Sequence, residues 1–215
     1  MNLSFVGMSG SGKSVLANRL QCELGFKNYS VDDLIVQELH TELPENSDIH
    51  SVANWLAEPG TPSHLERETK YLALENRTLK QICEIVEQNS HHKIALDDVN
   101  KNIVVDTTGS VVYLPQKTLD RLRELTVVVY LRVDKADLSL MIERYFSDPK
   151  PVIWGEIFST NVSENTNDAI RRCYPKLLAE RAAKYEKLAH HIFDVRVQEL
   201  SNLSLDKLLT AAKGV

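Results

Sequence analysis

The sequence predicts an α/β protein, a three-layer α/β/α sandwich with a central parallel sheet of five strands, in a single domain over residues 1–215. Short apolar segments alternate with longer segments of helical periodicity, as expected for a parallel sheet covered by helices. Residues 126–131 (TVVVYL) are almost all β-branched or aromatic, which is typical of a strand buried on both faces. Such an alternation requires right-handed crossover connections.

Periodicity and turn residues give the order of the elements. Candidate strands lie at residues 3–6, 26–29, 93–96, 102–105, 126–131 and 191–195, with a polar turn at 97–101. Candidate helices cover residues 13–24, 65–87, 168–189 and 204–212. Two further helices are predicted with one bound each: one begins at Asp32, and one ends near Tyr145. The helix at 65–87 should bury Tyr71, Leu74, Leu79, Ile82 and Ile85.

Two segments of weak periodicity predict insertions around a site. Residues 41–63 contain several prolines and a glycine around one short helix, so we expect a substrate cap over about residues 40–90. Residues 147–167 predict a long exposed loop, and we expect a lid over about residues 145–167. Loops of this length in a compact domain are usually functional.

Composition excludes several function classes. The 25 basic and 30 acidic residues give a net charge of −5, which argues against binding nucleic acid through its phosphates. The apolar runs are shorter than the ~18–20 residues that a membrane span needs, and no leader segment is evident. Three widely spaced cysteines without a CxxC pair fit a reducing compartment. We therefore expect a cytoplasmic monomer or small homo-oligomer, with no membrane or nucleic-acid partner.

The strongest motif is residues 7–14 (GMSGSGKS), which fits the P-loop (Walker A) pattern between a strand and a helix. Glycines let the backbone turn its N–H groups toward phosphate oxygens, and the helix N-terminus adds positive potential. The pattern predicts ATP and Mg²⁺ as ligands, with Lys13 on the β- and γ-phosphates and the Ser14 hydroxyl on the metal. The predicted nucleotide-binding residues here are Gly7, Ser9, Gly10, Ser11, Gly12, Lys13, Ser14 and Val15.

Three aspartates follow predicted strands, at the sheet edge where α/β proteins bind ligands. Asp106 ends an apolar strand and is the candidate second metal ligand with Ser14, although a turn aspartate before residues 107–109 is the alternative. Asp32 and Asp33 stand at a helix start, where N-capping is the alternative to a role with the acceptor.

Three cations could serve the site. Arg144 and Lys150 flank the predicted lid, whose closure would exclude water and bring positive charge to the phosphates. Arg181 stands in the mixed-charge segment 180–185 (ERAAKY), where a solvated helix face is the simple interpretation. The adjacent pairs His91-His92 and His190-His191 point to opposite sides and predict surface residues rather than a metal site.

Together these segments resemble shikimate kinase, among the P-loop phosphotransferases similar to nucleoside-monophosphate kinases. The resemblance rests on residues 5–14 (FVGMSGSGKS), 23–26 (ELGF), 30–35 (SVDDLI), the 143–153 lid and 180–185 (ERAAKY). It implies that Asp32 holds the acceptor hydroxyl, and that residues 105–110 (VDTTGS) replace the family's glycine loop. The acceptor-binding residues it implies are Asp32, Thr108, Gly109, Ser110 and Arg181.

The sequence departs from that family at several positions. Ser30 replaces the first aspartate of the D-x-D motif, only Gly109 of three glycines remains, and Lys150 replaces a lid arginine. Leu72 in 71–75 (YLALE) stands where the family has the arginine for the substrate carboxylate, and Arg77 on the same helix should point elsewhere. Without that planar guanidinium a buried carboxylate would be poorly paired.

The resulting hypothesis is an ATP- and Mg²⁺-dependent kinase acting on a small hydroxylated metabolite other than shikimate. Lys13, Asp32 and Lys150 are the predicted catalytic residues, with Arg144 at the nucleotide. Two alternatives stay open: an ATP-binding module without kinase activity that acts through a protein partner, and a nucleoside or nucleotide kinase.

Overall fold

The computed structural model describes residues 1–91 and 102–214. Five parallel strands form its sheet: β1 (Asn2–Val6), β2 (Lys27–Ser30), β3 (Ile103–Asp106), β4 (Val127–Val133) and β5 (His191–Val195). Their spatial order is β2-β3-β1-β4-β5. The predicted strand at 93–96 and its turn lie outside the described residues.

Helices cover both faces of the sheet, as the three-layer prediction requires. They are α1 (Lys13–Leu24), α2 (Val31–Glu38), α3 (Ile49–Trp55), α4 (Pro62–His91), α5 (Gln116–Leu125), α6 (Leu138–Ser147), α7 (Thr166–Leu188) and α8 (Leu205–Lys213). Short 3₁₀ helices occur at Val111–Tyr113, Lys135–Asp137, Gly155–Ile157 and Val197–Asn202. No helix among the described residues is both long enough and apolar enough to cross a membrane.

Each face of the sheet has its own apolar core. One core joins β1, β3 and β4 to α1 and α8 through residues such as Leu16, Leu20 and Leu208. The other packs α2, α4, α5 and α7 against the opposite face, through Ile35, Leu79 and other buried side chains. The sheet therefore has no free apolar face, and the site is left to its carboxyl-terminal edge.

Several sequence expectations need correction. Ile85 is exposed rather than buried, because it lies on the solvent side of α4. Ser30, not Asp32 or Asp33, caps α2, since its hydroxyl accepts the Asp33 amide. Helix α5 was not anticipated. The 147–167 segment is not exposed throughout, because the Val152–Trp154 side chains are buried against the second core.

Candidate active site

The loop between β1 and α1 forms an open cradle of backbone amides. Gly7, Gly10 and Gly12 have φ angles of +149°, +81° and +95°, which favour glycine. A Cβ on Gly7 would lie 2.9 Å from the Leu131 carbonyl oxygen, so the loop admits no side chain there. Gly12 caps α1 without a side-chain hydrogen bond, which leaves first-turn N–H groups for an anion.

Lys13 is buried beneath this cradle. Its Nζ donates to the carbonyl oxygens of Gly7 and Met8 at 2.9 and 3.0 Å. Burial lowers the pKa of Lys13, while the charges of Asp106 and Asp32 oppose that shift. A partly desolvated ammonium held only by carbonyls can move to a phosphate oxygen, which is a stronger partner for it.

Asp106 supplies the feature that fits a metal. The register pairs it with Phe5 on β1 and Ser30 on β2, at the carboxyl edge of the sheet. Its side chain is buried, and no described residue hydrogen-bonds its Oδ1. Burial raises the pKa of Asp106, although the charge of Lys13 and a hydrogen bond from the Ser14 hydroxyl act to lower it. An unpartnered carboxylate oxygen beside a hydroxyl fits Mg²⁺, which prefers such oxygen ligands.

Asp32 follows β2 and faces the same space. The Tyr71 hydroxyl of α4 donates to its Oδ1 at 3.2 Å. Burial and the nearby Asp106 charge raise the pKa of Asp32 to about 6, although Lys13 and the Tyr71 hydrogen bond act in the other direction. A carboxylate with a pKa near neutrality can accept the proton of an alcohol as it reacts.

A buried carboxylate on α4, Glu75, organises the turn after β3. The hydroxyls of Thr108 and Ser110 both donate to Glu75. Burial raises the pKa of Glu75 to about 7, although the two hydrogen bonds act to lower it. The prediction for Thr108 and Ser110 was contact with the acceptor, whereas here their hydroxyls are turned to Glu75. Glu75 shares the buried face of α4 with Tyr71, a position that could have singled it out.

Arg181 is also buried at this point. Its Nη2 donates to the Ile153 carbonyl oxygen, and its guanidinium lies 5.1 Å from the ring centroid of Tyr113. A Cβ on Gly109 would lie 3.3 Å from Arg181 Nη1 and 3.3 Å from the Ser9 amide nitrogen. Gly109 therefore lets the β3 turn, the phosphate loop and Arg181 approach one another.

The middle of the predicted lid is held in place by a buried pair on α4. His64 Nε2 lies 3.0 Å from Glu68 Oε1, and its Nδ1 lies 2.9 Å from the Leu56 carbonyl oxygen. The same Glu68 carboxylate accepts the backbone amides of Trp154 and Gly155. Sequence reasoning missed this pair, although its i, i+4 spacing on a helix is a usable signal.

A cavity of about 590 Å³ lies at this edge of the sheet and is bordered by Lys13, Asp32 and Gly109. Of the predicted site residues, those that line it are Ser9, Gly10, Gly12, Lys13, Ser14, Val15, Asp32, Gly109, Arg144 and Lys150. Those that do not line it are Gly7, Ser11, Asp106, Thr108, Ser110 and Arg181. The lining residues that the sequence did not single out for the site include Tyr71, Tyr145, Tyr174, Val197, Gln198, Leu200 and Ser201.

No protein-family model matches the chain, and no curated protein matches it in sequence. Solved structures do match. The shikimate kinase from Acinetobacter baumannii, in complex with shikimate, gives a TM-score of 0.59 at 17% identity, covering 97% of this chain and 93% of that one. The shikimate kinase from Aquifex aeolicus gives 0.57 at 17%, covering 100% and 97%. The enzyme from Bacteroides thetaiotaomicron gives 0.59 at 16%, covering 98% of both chains.

The chain has the shikimate kinase fold. The resemblance drawn from the P-loop and its neighbouring segments is thereby confirmed at the level of fold, and so is the predicted parallel α/β sandwich. At such low identity the likeness extends to the fold alone, so the reaction and the acceptor have to be argued from the residues of this site.

Proposed function

We propose that this protein is an ATP- and Mg²⁺-dependent kinase that transfers the γ-phosphoryl group to a hydroxyl of a small metabolite other than shikimate. The observation that carries the proposal is the convergence of a glycine-rich amide cradle, Lys13, and the carboxylates of Asp106 and Asp32 at one sheet edge. Phosphoryl transfer needs these parts and little covalent chemistry, because positioning and charge stabilisation supply most of the rate.

Each residue has a distinct task in the proposed reaction. The loop amides and Lys13 hold the phosphates, while Ser14 and Asp106 would hold Mg²⁺, which neutralises phosphate charge when bound. Asp32 accepts the proton of the acceptor hydroxyl while the hydroxyl oxygen bonds to the γ-phosphorus. The bond between the γ-phosphorus and the β-γ bridging oxygen breaks in the same step, and ADP is released. Lys150 supplies charge from the lid, since its field reaches Lys13, Asp32 and Asp106.

Transfer from ATP labelled in its γ-phosphate to a metabolite extract tests this function. The native protein should produce a labelled organic phosphate. Lys13→Ala should lower that rate by about 100-fold or more, because a charged donor to the transferring group is lost. Lys176→Ala, an exposed lysine on α7, is the matched control and should leave the rate unchanged.

The remaining hypotheses predict different results in the same assay. ATP binding without any labelled organic product would contradict the kinase proposal and favour a nucleotide-binding module. Labelling confined to nucleosides or their monophosphates would instead favour a nucleoside or nucleotide kinase.

A further inference from the structure

The 3₁₀ helix at Val197–Asn202, between β5 and α8, forms one wall of the cavity, and we call it the 3₁₀ wall. The phosphate loop touches it directly, because a Cβ on Gly12 would lie 2.1 Å from Leu200 Cδ1. Its residues that line the cavity are Val197, Gln198, Leu200 and Ser201. A segment near the end of the chain therefore borders the site, although no motif in the sequence connects it with the phosphate loop.

The two sides of the phosphate loop face different neighbours. On one side, the Ser9 amide nitrogen would lie 3.3 Å from a Cβ on Gly109, in the turn after β3. Glu75 holds that turn and is within electrostatic reach of Asp32, so the proposed transfer takes place on this side. On the other side, Gly12 meets the 3₁₀ wall. A triphosphate whose γ-phosphate is directed to the acceptor therefore extends its nucleoside toward the 3₁₀ wall.

The composition of the 3₁₀ wall suits a nucleoside. Leu200 is buried and Val197 is half-buried, and both belong to the apolar core that includes α1. Gln198 and Ser201 are exposed and offer an amide and a hydroxyl. Ligand sites commonly combine apolar surface with a few polar groups in this way.

The 3₁₀ wall depends on contacts from outside itself. Leu200 is its buried residue, whereas four of its six residues are exposed. Hydrogen bonds within 3₁₀ helices have poorer geometry than those of α-helices, so such helices are short and weakly held. At its amino end the Val197 amide donates to Asp137 Oδ2 at 3.1 Å, which fixes that end to the start of α6.

Arg19 of α1 holds the carboxyl end of the 3₁₀ wall. Its Nη1 donates to the carbonyl oxygens of Leu200 and Leu203, at 3.2 and 2.7 Å. Carbonyl groups at a helix end lack partners within the helix, and a basic side chain can satisfy them. Because α1 begins at the phosphate loop, Arg19 ties the 3₁₀ wall to the helix that carries the loop.

Glu23 orients Arg19 for this contact. The Nε and Nη2 atoms of Arg19 donate to the two carboxylate oxygens of Glu23, at 2.6 and 3.2 Å. A bidentate pair of this kind holds the planar guanidinium in one orientation. The remaining donor, Nη1, is thereby directed to the carbonyl oxygens of the 3₁₀ wall.

We propose that Arg19 is a positioning residue for the nucleotide, which holds the 3₁₀ wall beside the phosphate loop so that the wall receives the nucleoside. The inference rests on the nucleotide site of the proposed function and adds to it a residue outside the P-loop motif. A wall that is already ordered loses less conformational entropy on binding than one that the ligand must order. Arg19 therefore acts on the affinity for the nucleoside, whereas the loop amides and Lys13 determine the affinity for the phosphates.

A comparison of ATP with inorganic tripolyphosphate separates the two contributions, because both have three linked phosphates and only ATP has a nucleoside. Binding of each ligand with Mg²⁺ is measured by calorimetry, which needs no acceptor. Arg19→Ala should raise the Kd for ATP about 5- to 20-fold and the Kd for tripolyphosphate by less than about twofold. Arg19→Lys keeps a charged donor for the carbonyl oxygens and should recover part of the ATP affinity.

Arg123→Ala is the matched control. Arg123 Nη1 also donates to carbonyl oxygens at a helix end, those of Lys187, Leu188 and Ala189. None of these residues lines the cavity, so this variant loses a contact of the same kind away from the site. Both dissociation constants should therefore stay at their native values.

Three results would overturn the inference while the nucleotide site itself stands. An equal rise of both dissociation constants in Arg19→Ala would mean that Arg19 acts on the phosphate loop. An unchanged Kd for ATP would mean that the 3₁₀ wall needs no such anchor. An ATP affinity in Arg19→Lys no better than in Arg19→Ala would mean that the carbonyl contacts are not responsible. No binding of ATP to the native protein would instead overturn the proposed function and, with it, the inference.

Discussion

The two ends of the cavity are built from different parts of the chain. The phosphate end is centred on one continuous segment, residues 7–14, with the 3₁₀ helix at Val197–Asn202 beside it. The acceptor end is assembled from side chains of α2, α4, α6 and α7 together with the turn after β3. A single local motif determines the first end, whereas long-range packing determines the second.

This difference has a chemical consequence. Backbone amides at the phosphate end have no protonation state to set, so their positive potential is fixed by the fold. The acceptor end depends on the carboxylates of the half-buried Asp32 and the buried Glu75, whose pKa values are raised to about 6 and about 7. Changes of pH should therefore act through these carboxylates rather than through the loop amides.

Replacement of Asp32 should give the largest separation between the two ends. Asp32→Asn removes the proton acceptor but keeps the shape, so kcat should fall by about 100- to 10,000-fold. Binding of ATP with Mg²⁺, measured by calorimetry, should change little because the amide cradle is intact. Asp206→Asn, at an exposed aspartate in the first turn of α8, is the matched control. Turnover near the native rate in Asp32→Asn would contradict its role as proton acceptor.

The pH dependence of turnover should report the pKa of Asp32. The reaction needs the ionised carboxylate, and burial and the Asp106 charge raise its pKa to about 6. We therefore expect kcat/KM to fall about tenfold per pH unit below pH ~6 and to level off above it, since kcat/KM follows groups of the free enzyme.

The Tyr71→Phe variant tests whether Asp32 causes the fall of kcat/KM at low pH. The Tyr71 hydrogen bond favours the ionised form of Asp32. Its removal should therefore move the pH at which kcat/KM is half its plateau value to higher pH. If that pH stays the same or becomes lower, a group other than Asp32 controls the fall of kcat/KM.

Local sequence predicted the fold class and the helix that follows the phosphate loop. Helix α1 begins at Lys13 and ends at Leu24, as predicted, and Gly25 adopts the left-handed conformation that ends the helix. Residues 127–131 of the β-branched segment lie within β4, between β1 and β5 in the sheet. Both depend on neighbours in the chain, namely a glycine stop and a continuous apolar run.

Long-range partners limited the prediction at the acceptor end. Thr108 and Ser110 bond a carboxylate more than 30 residues away on α4, and no pattern around residue 108 encodes that partner. Likewise, the 147–167 segment is anchored by Glu68 on α4, so its composition alone wrongly predicted full exposure. Contacts of this kind depend on how helices pack and not on local propensity.

Two glycines of the phosphate loop should differ in their tolerance of alanine. Gly10 and Gly12 both have positive φ, which costs alanine about 1–2 kcal/mol. A Cβ on Gly10 meets nothing within 4 Å, but on Gly12 it would lie 2.1 Å from Leu200 Cδ1. Gly12→Ala should therefore lower the free energy of unfolding by about 1–3 kcal/mol more than Gly10→Ala in urea denaturation.

Leu200→Ala provides the double-mutant test of that difference. In the Leu200→Ala background the extra cost of Gly12→Ala should disappear, because the overlapping side chain is gone. An extra cost that persists would mean that backbone strain, rather than contact with the 3₁₀ helix at Val197–Asn202, distinguishes the two glycines.

The His64–Glu68 pair should make a smaller, pH-dependent contribution to stability. Burial disfavours both charged forms, but the interaction between the two side chains and their hydrogen bonds to backbone groups together outweigh it. The pKa of His64 is therefore raised above 6.5 and that of Glu68 is lowered below 4.5. The His64 contribution is complete below pH 6.5 and is lost as pH rises through its folded pKa. The Glu68 contribution is complete above pH 4.5 and is lost as pH falls through its folded pKa.

Glu68→Gln tests this window between pH 4.5 and 6.5. The amide can still accept the Trp154 backbone N–H, but the charge that favours His64 protonation is lost, so the free energy of unfolding should fall by about 1–3 kcal/mol within the window. The deficit should shrink at higher pH, where His64 is neutral in both proteins. Glu66→Gln, exposed on the same helix, is the control. If the loss of unfolding free energy is constant from pH 5 to pH 9, the charge of Glu68 does not matter. Glu68 would then act only as a hydrogen-bond acceptor for the backbone amides of the lid.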